Sequence, residues 1–440
     1  MPADASRFGG KRKDGPRSGS TALVSRDPRL ESGIPLGLAY LMGGIGLALL
    51  PGVRAASFLG SALFGAARET FSGPLPQLHL TAPLAAKVVI DEAARAFMVG
   101  MARVPSRSQR SRIRHEVSSA LELYEDRGWL EHPERFHREP HSLSRPRMTL
   151  RRAAGIDFEH LEFQSGYQPR EGEPGRDRWL GMRANRTAHA WVLRHREGIR
   201  PWLVCIPGFR MGNPTIDLPG LRAAHHHYDL GFNVLIPVLP LHGPRSMGRR
   251  SGDGFITADA LNTIHAEAQA MWDIRRLLSW IRAEGEAGIG VFGVSLGGYN
   301  TALLASLEHD LSCAIAGIPA SCFPSLLEEH APRFLLRIGE RLGLAWEDMR
   351  RIMRVVSPLA MHPKIPVERR YVFGGLADRL VPPEHVYGLW DHWERPRIAW
   401  YQGSHLSFHF EPEVRILMFE AFSQSGMLAS SAPMRDRFVA

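Results

Sequence analysis

Cysteine is nearly absent from this 440-residue chain: Cys205, Cys313 and Cys322 are all there are. An odd count excludes a complete internal disulfide framework, and the spacing matches no metal-ligand pattern. Cys205 and Cys313 lie in apolar runs that read as strands, where a thiol acts as a small hydrophobe. Internal repeats are also missing, which argues against a propeller or solenoid. Acidic residues are the scarcer charge, 45 Asp and Glu against 54 Lys and Arg, for a formal net charge of +9. The excess is concentrated in Arg7, Lys11, Arg12, Lys13, Arg17, Arg26 and Arg29, and again in Arg103, Arg107, Arg110, Arg112 and Arg114. Neither stretch carries interleaved aromatics or a binding motif, so nucleic acid is not expected as a partner. Attraction to an anionic membrane surface and a solvated tail are the readings that remain.

What is present is enough apolar material, 44% of residues, for one large or two modest cores. Residues 1–31 have little to bury and read as a disordered basic tail. From Ser32 to Val53 no residue is charged, and after Arg54 the run resumes from Ala55 to Ala67. That length suffices for a bilayer, but glycines, Pro35 and Pro51 interrupt it. A spanning anchor, a hairpin in the membrane face and a buried hydrophobic arm are the three readings. The expectation adopted is a cytoplasmic protein held at a membrane through residues 32–67. Residues 69–150 read as a helical extension, with helices over Ala85–Met101 and Ile113–Trp129 and no catalytic pattern. Pro83 suits the start of the first.

From about Gly155 the period changes. Phe158–Phe163 and Trp179–Arg194 have strand-like alternation. Leu203–Ile206, Asn233–Val238, Ile289–Val294 and Cys313–Ile318 are short apolar runs, as expected of parallel strands covered on both faces. Tyr371–Phe373 and Ile398–Tyr401 read as the last strands. Between them lie helical stretches: Leu218–Leu230, Thr257–Ala283, Asn300–Glu308 and Glu413–Phe422. The alternation predicts an α/β, doubly wound, mainly parallel sheet over residues 151–425, with 426–440 as a tail. Residues 321–356 are too long for an ordinary connection. Their helical spacing of Leu326, Leu327, Phe334, Leu335, Ile338, Leu342, Met349, Ile352, Met353 and Val356 predicts a cap.

The chemistry centres on Gly293-Val294-Ser295-Leu296-Gly297. The motif follows a buried strand and precedes a helix, the strand–turn–helix context of a nucleophile elbow. A serine hydroxyl needs a base. Asp378 follows one late strand and His405 follows the last, so the order is Ser, Asp, His. In that order His405 takes the Ser295 proton while Asp378 fixes its tautomer. His409, four residues on, is the rival base. The developing oxyanion needs backbone donors: the amide of Leu296, and that of Phe209 in the loop Pro207–Gly212, with Arg210 as alternate. His242 and Arg245 follow the strand Asn233–Val238 and, with Arg210, are candidates for the pocket. His225-His226-His227 reads as a solvated helix end rather than a metal site, because consecutive helical residues point apart.

At these residues the chain resembles the α/β-hydrolase superfamily over roughly 155–425. Leu239–Arg245 and Gly374–Pro383 look like its esterase and prolyl-oligopeptidase-like branches. Pro207 stands where that superfamily usually has histidine, which leaves the backbone donor in place. The resemblance implies acyl transfer through a covalent acyl-enzyme, with no cofactor and no metal. The expected function is a serine hydrolase of a small-molecule or lipid-like carboxylic ester with an apolar acyl group. Acyltransferase, peptidase and non-catalytic binding protein are the alternatives, and oligomeric state is not predicted.

Overall fold

The computed structural model describes residues 34–35, 50–67, 75–101, 103–331, 336–337 and 346–428. A nine-stranded sheet organises them. Its strands are β1 Arg147–Ala153, β2 Ile156–Gln164, β3 Thr187–Leu193, β4 Trp202–Ile206 and β5 Asn233–Val238, followed by β6 Ile289–Val294, β7 Cys313–Gly317, β8 Arg370–Gly375 and β9 Arg397–Tyr401. The spatial order is β9-β8-β7-β6-β4-β5-β3-β2-β1. Strands β4 to β9 pair in parallel, and β3, β2 and β1 continue the sheet as an antiparallel edge.

Every residue of β4 to β8 is buried, because helices cover both faces. Alternate side chains serve alternate cores. Trp202, Val204 and Ile206 of β4 join one, while Leu203 and Cys205 join the other. The first core lies under helices α3 (Arg107–Asp126), α4 (Ala260–Glu284) and α5 (Leu296–Ala305), the second under α9 (Pro412–Gln424). Helix α4 starts where Asp259 accepts a hydrogen bond from Asn262 N at 3.4 Å, as an N-cap does. This is the predicted doubly wound sheet. At its centre β4 has β5 on one side and β6 on the other. The winding reverses there, the point at which sheets of this kind take ligands beyond the strands' C-terminal ends.

Several elements depart from expectation. Arg147–Ala153 is a strand of the sheet rather than the end of a helical extension. It pairs with β2 across a two-residue turn, Ala154 and Gly155, both at positive φ (51° and 77°), the geometry that matches strand twist. Of Trp179–Arg194 only Thr187–Leu193 is strand. Trp179 instead sits in a helical turn, Arg176–Leu180, with its Nε1 donating to Gln269 Oε1 at 2.9 Å. Leu218–Leu230 is broken into Pro214–Gly220 and a wide turn, His225–Asp229. His226 and His227 are buried there rather than solvated. Burial pushes His226 down to about 3, and His227 Nδ1 pairs with Phe232 O at 2.8 Å. Met427 and Leu428, at the start of the expected tail, are buried in the second core.

Two N-terminal helices, α1 (Leu50–Ala67) and α2 (Ala82–Met101), pack together, with Ala55, Leu84 and Val88 closing around Ala377. This part of the apolar run therefore lies on the main domain as an arm. Among the described residues no helix is long and apolar enough to cross a membrane. The basic tail and most of Ser32–Leu49 lie outside the described residues. Part of the second basic stretch is tied down, since Arg112 of α3 bridges Glu116 at 2.7 Å and Asp259 at 2.6 Å. The cap contributes α6 (Phe323–His330) and α7 (Trp346–Met353), with Phe323, Leu326, Met349, Ile352 and Met353 buried. Phe334, Leu335, Ile338 and Leu342 lie outside the described residues.

Helix α8 (Pro383–His392) follows β8, while the loop after β5 holds the sheet to α4. Arg245, fully buried, donates to Val238 O at 2.9 Å, Asn185 O at 3.0 Å and Asp273 Oδ2 at 2.8 Å. Removing one member of a buried pair strands the other charge, at a cost of about 3–5 kcal/mol. Arg245→Leu is expected to lose that much stability in urea unfolding, and Arg245→Leu with Asp273→Leu to recover most of it. A loss under about 1 kcal/mol, the range of an exposed pair, would show that the pair is not structural.

Candidate active site

Ser295 caps β6 and opens α5. Its backbone is forced to φ 58°, ψ −116°, a strained conformation for a residue with a side chain, of order 1–3 kcal/mol. The turn is this tight because the chain reverses with no room to spare. A Cβ at Gly293 would overlap the Gly297 carbonyl, and one at Gly297 would overlap the Ile206 carbonyl. The strain is held by a ladder bond from Ser295 N to Gly317 O at 2.9 Å. Ser295 is part-exposed, while its neighbours Leu296 and Gly297 are buried. Its side chain therefore stands at the C-terminal edge of the sheet, at the positive end of α5.

The loop after β4 passes directly beside it. A Cβ on Gly208 would lie 3.8 Å from Ser295 Cβ. Among the described residues no hydrogen bond takes up the Phe209 N–H, and Leu296, first in its helix, has no carbonyl four residues back within α5 to bond. Neither expected donor is therefore taken up by a hydrogen bond among the described residues. Arg210, at φ 69°, turns its guanidinium away onto Asp253 Oδ1 at 3.0 Å and over the Phe209 ring at 4.9 Å. His242 is buried behind that ring, its centroid 5.9 Å from Phe209 and its Nδ1 2.9 Å from Pro240 O. Phe209 is thereby wedged by Arg210 and His242, two of the three residues expected in the pocket. Arg245 belongs to the buried pair with Asp273, and all the bonds of its guanidinium lie within the protein.

Asp378 and His405 meet from the loops after β8 and β9. His405 Nδ1 lies 2.6 Å from Asp378 Oδ2, a charge-assisted length. The other oxygen, Oδ1, accepts Leu380 N at 2.9 Å and Val381 N at 2.8 Å, which locks the carboxylate's rotamer. Burial works against the His405 cation, but the charge and hydrogen bond of Asp378 and the charge of Asp91 outweigh it and raise the imidazole above its ordinary 6.5. Among the described residues His409 has no such partner. It lies against Phe408 at 3.8 Å between centroids, and burial and Arg222 lower it. Among the described residues no hydrogen bond joins Ser295 to His405; such contacts commonly tighten only when substrate binds.

Asp91 of α2 has no place in the sequence reading, yet it touches both loops. The missed signal is a charge on a buried stripe. Leu84, Val88, Asp91 and Arg95 follow helical spacing, and all four are buried. One other group among the described residues offers metal-ligand atoms close together, His160, Glu162 and His189 on β2 and β3. His160 Nε2 and His189 Nδ1 already pair at 3.0 Å. Arg147, 3.8 Å from Glu162, and Arg151 and Arg245 set positive charge around them, which opposes a further cation. The cluster reads as a cross-strand hydrogen-bonded pair.

With this geometry in place, relatives can be compared. No family model matches the chain. It is 43% identical over 376 residues to the uncharacterized protein MT2702 of Mycobacterium tuberculosis strain CDC 1551 / Oshkosh, covering 82% of this chain and 87% of that one. The uncharacterized protein Rv2627c of strain ATCC 25618 / H37Rv matches over the same length at 42%. This chain belongs to their family. Among solved structures, an acetyl xylan esterase from Paenibacillus sp. R4 aligns with a TM-score of 0.45 at 17% identity, over 66% of this chain and 97% of that one.

The environments of the histidines give a direct check on the site. His405 is expected to titrate above 6.5, while His242, held down by burial, stays neutral to about 4. Histidine ring NMR, assigned with His405→Gln and His242→Gln, measures both. A His405 midpoint below 6.5 would mean that Asp378 does not hold the imidazolium.

Proposed function

We propose that this chain is a serine hydrolase that cleaves a carboxylic ester through a covalent acyl-enzyme. The observation that carries the reading is the charge-assisted His405–Asp378 pair at the same end of the sheet as a strained serine beside two free backbone donors. In this scheme Ser295 Oγ attacks the ester carbonyl and His405 Nε2 takes its proton. The carbonyl electrons move onto oxygen, which the Phe209 and Leu296 amides hold. The C–O bond to the alcohol then breaks, and the alcohol leaves with the proton from His405. Water repeats the sequence on the acyl-enzyme and returns free Ser295 and the acid. Asp378 holds His405 in the tautomer that leaves Nε2 free. The preference for an apolar acyl group draws on the cap, whose α6 brings Phe323 onto the elbow helix, stacked on Tyr299 at 4.1 Å.

Ser295→Ala is expected to abolish labelling by a fluorophosphonate and to lower ester turnover by several orders of magnitude. His405→Ala should be nearly as damaging, whereas His409→Ala keeps most activity. Near-normal turnover by Ser295→Ala, or the reverse ranking of the histidines, would sink the assignment.

A membrane-surface location is part of the same proposal. Val89, Ile90 and Phe97 are exposed along α2, the helix that packs with α1. Fractionation of cells expressing the full chain should find it with the membranes at ordinary salt. Recovery in the supernatant would remove the surface role.

A further inference from the structure

The N-terminal helix α2 reaches the back of the site through a single carboxylate. Leu84 and Val88 seat α2 against Ala377, the residue before Asp378. One turn on, Asp91 is fully buried. Its Oδ2 accepts His405 N–H at 2.7 Å and Arg379 N–H at 3.1 Å, and its Oδ1 accepts Leu406 N–H at 3.4 Å. One side chain thus fixes the backbone of the acid's loop and of the base's loop. The neighbours on α2 bind the same region by other means. Glu92 Oε1 accepts Arg379 Nε at 2.8 Å. Arg95 donates to His330 Nδ1 at 2.8 Å and Glu329 O at 3.0 Å, and His330 Nε2 lies 2.6 Å from Leu380 O.

We infer that Asp91 is a positioning residue of the catalytic machinery, holding the Asp378 and His405 loops at their working separation and adding a second negative charge beside the imidazole. The inference rests on the serine-hydrolase reading for its kinetic consequence, though not for its structural one. Asp378 alone orients the ring, but its bond to Nδ1 is only as rigid as the two loops that carry it. These loops rise from β8 and β9, and beyond the strands the backbone of each needs partners. Asp91 supplies acceptors to both at once. Its charge also bears on the reaction, because the imidazole becomes positive as Ser295 attacks. Fixed negative charge near that position stabilises the change without reorganisation.

The surroundings are mixed. Asp378 faces Asp91 with like charge, His405 with opposite charge, and Tyr401 packs close by. Arg379 turns its side chain to Glu92, which Arg54 of α1 also approaches at 3.6 Å. Lys87, one turn before on α2, is paired with Glu411 at 2.6 Å. Burial and Asp378 raise Asp91, and His405 with the backbone donors opposes them.

The test is Asp91→Asn in the full chain, with Glu92→Gln as its companion. Asn keeps the size but loses the charge and turns an amide toward a backbone N–H. Glu92→Gln loosens the docking of α2 without touching His405. Asp91→Asn is expected to slow fluorophosphonate labelling about 100-fold, the scale of a sub-ångström to ångström misplacement. It should lower kcat far more than it raises KM and move the acid limb of the pH profile down. In histidine ring NMR the His405 midpoint should fall, and hydrogen exchange at 404–406 and 378–381 should quicken. Glu92→Gln should lower stability while leaving the His405 midpoint in place. Wild-type rate, profile and midpoint in Asp91→Asn would overturn the role, as would equal midpoint shifts in both variants. If the wild-type chain does not label at all, the hydrolase reading fails, and the NMR midpoint and the exchange rates still decide whether Asp91 positions His405.

Discussion

Steric exclusion at one turn governs the rest of this molecule. Where β6 passes into α5 the carbonyls of Ile206 and Gly297 stand so close that no Cβ fits at Gly297 or Gly293. That contact brings the end of β4 against the elbow and fixes which loop can supply donors beside Ser295. It also holds the start of α5 against the end of β4. Strain at Ser295 persists because a closely packed parallel sheet surrounds it and offers no softer conformation.

The other half of the site is assembled differently. Asp378 and His405 stand on loops, and loops are held by whatever accepts their backbone donors. Here the acceptors come from a helix outside the sheet, so α2 belongs to the site as much as β8 and β9 do. The arrangement gives the N-terminal region a physical task beyond covering apolar surface. It also explains two adjacent acids, Asp91 and Glu92, at positions where burial would otherwise be costly. Each is met by backbone amides or by guanidinium groups.

Arg245, His226 and His227 show the same tendency of polar side chains to be drawn inward. In the chain Arg245 follows a glycine and a proline, and the histidines read as a solvated helix end. In the fold all three are buried, bonded to carbonyls or packed on aromatic rings. Their chemistry is spent on holding the loop after β5 and the turn before it. Phe209 is held separately, between the Arg210 cation and the His242 ring.

The strands β4 to β9, the cap's place between β7 and β8, and the order Ser295, Asp378, His405 were legible in the chain alone. Each rests on local properties: short apolar runs, glycine spacing at a tight turn, and position directly after a strand. Where local signals conflicted the sequence misled. Trp179 looked like strand but packs from a helical turn, and β1 was hidden because its partner lies across a turn that opens with an alanine. His405, the histidine directly after β9, is the one that meets Asp378, and His409 is not. Asp91 lies 314 residues from the amide it holds. Contacts of that separation depend on how α2 settles on the finished sheet, and only the tertiary structure decides them.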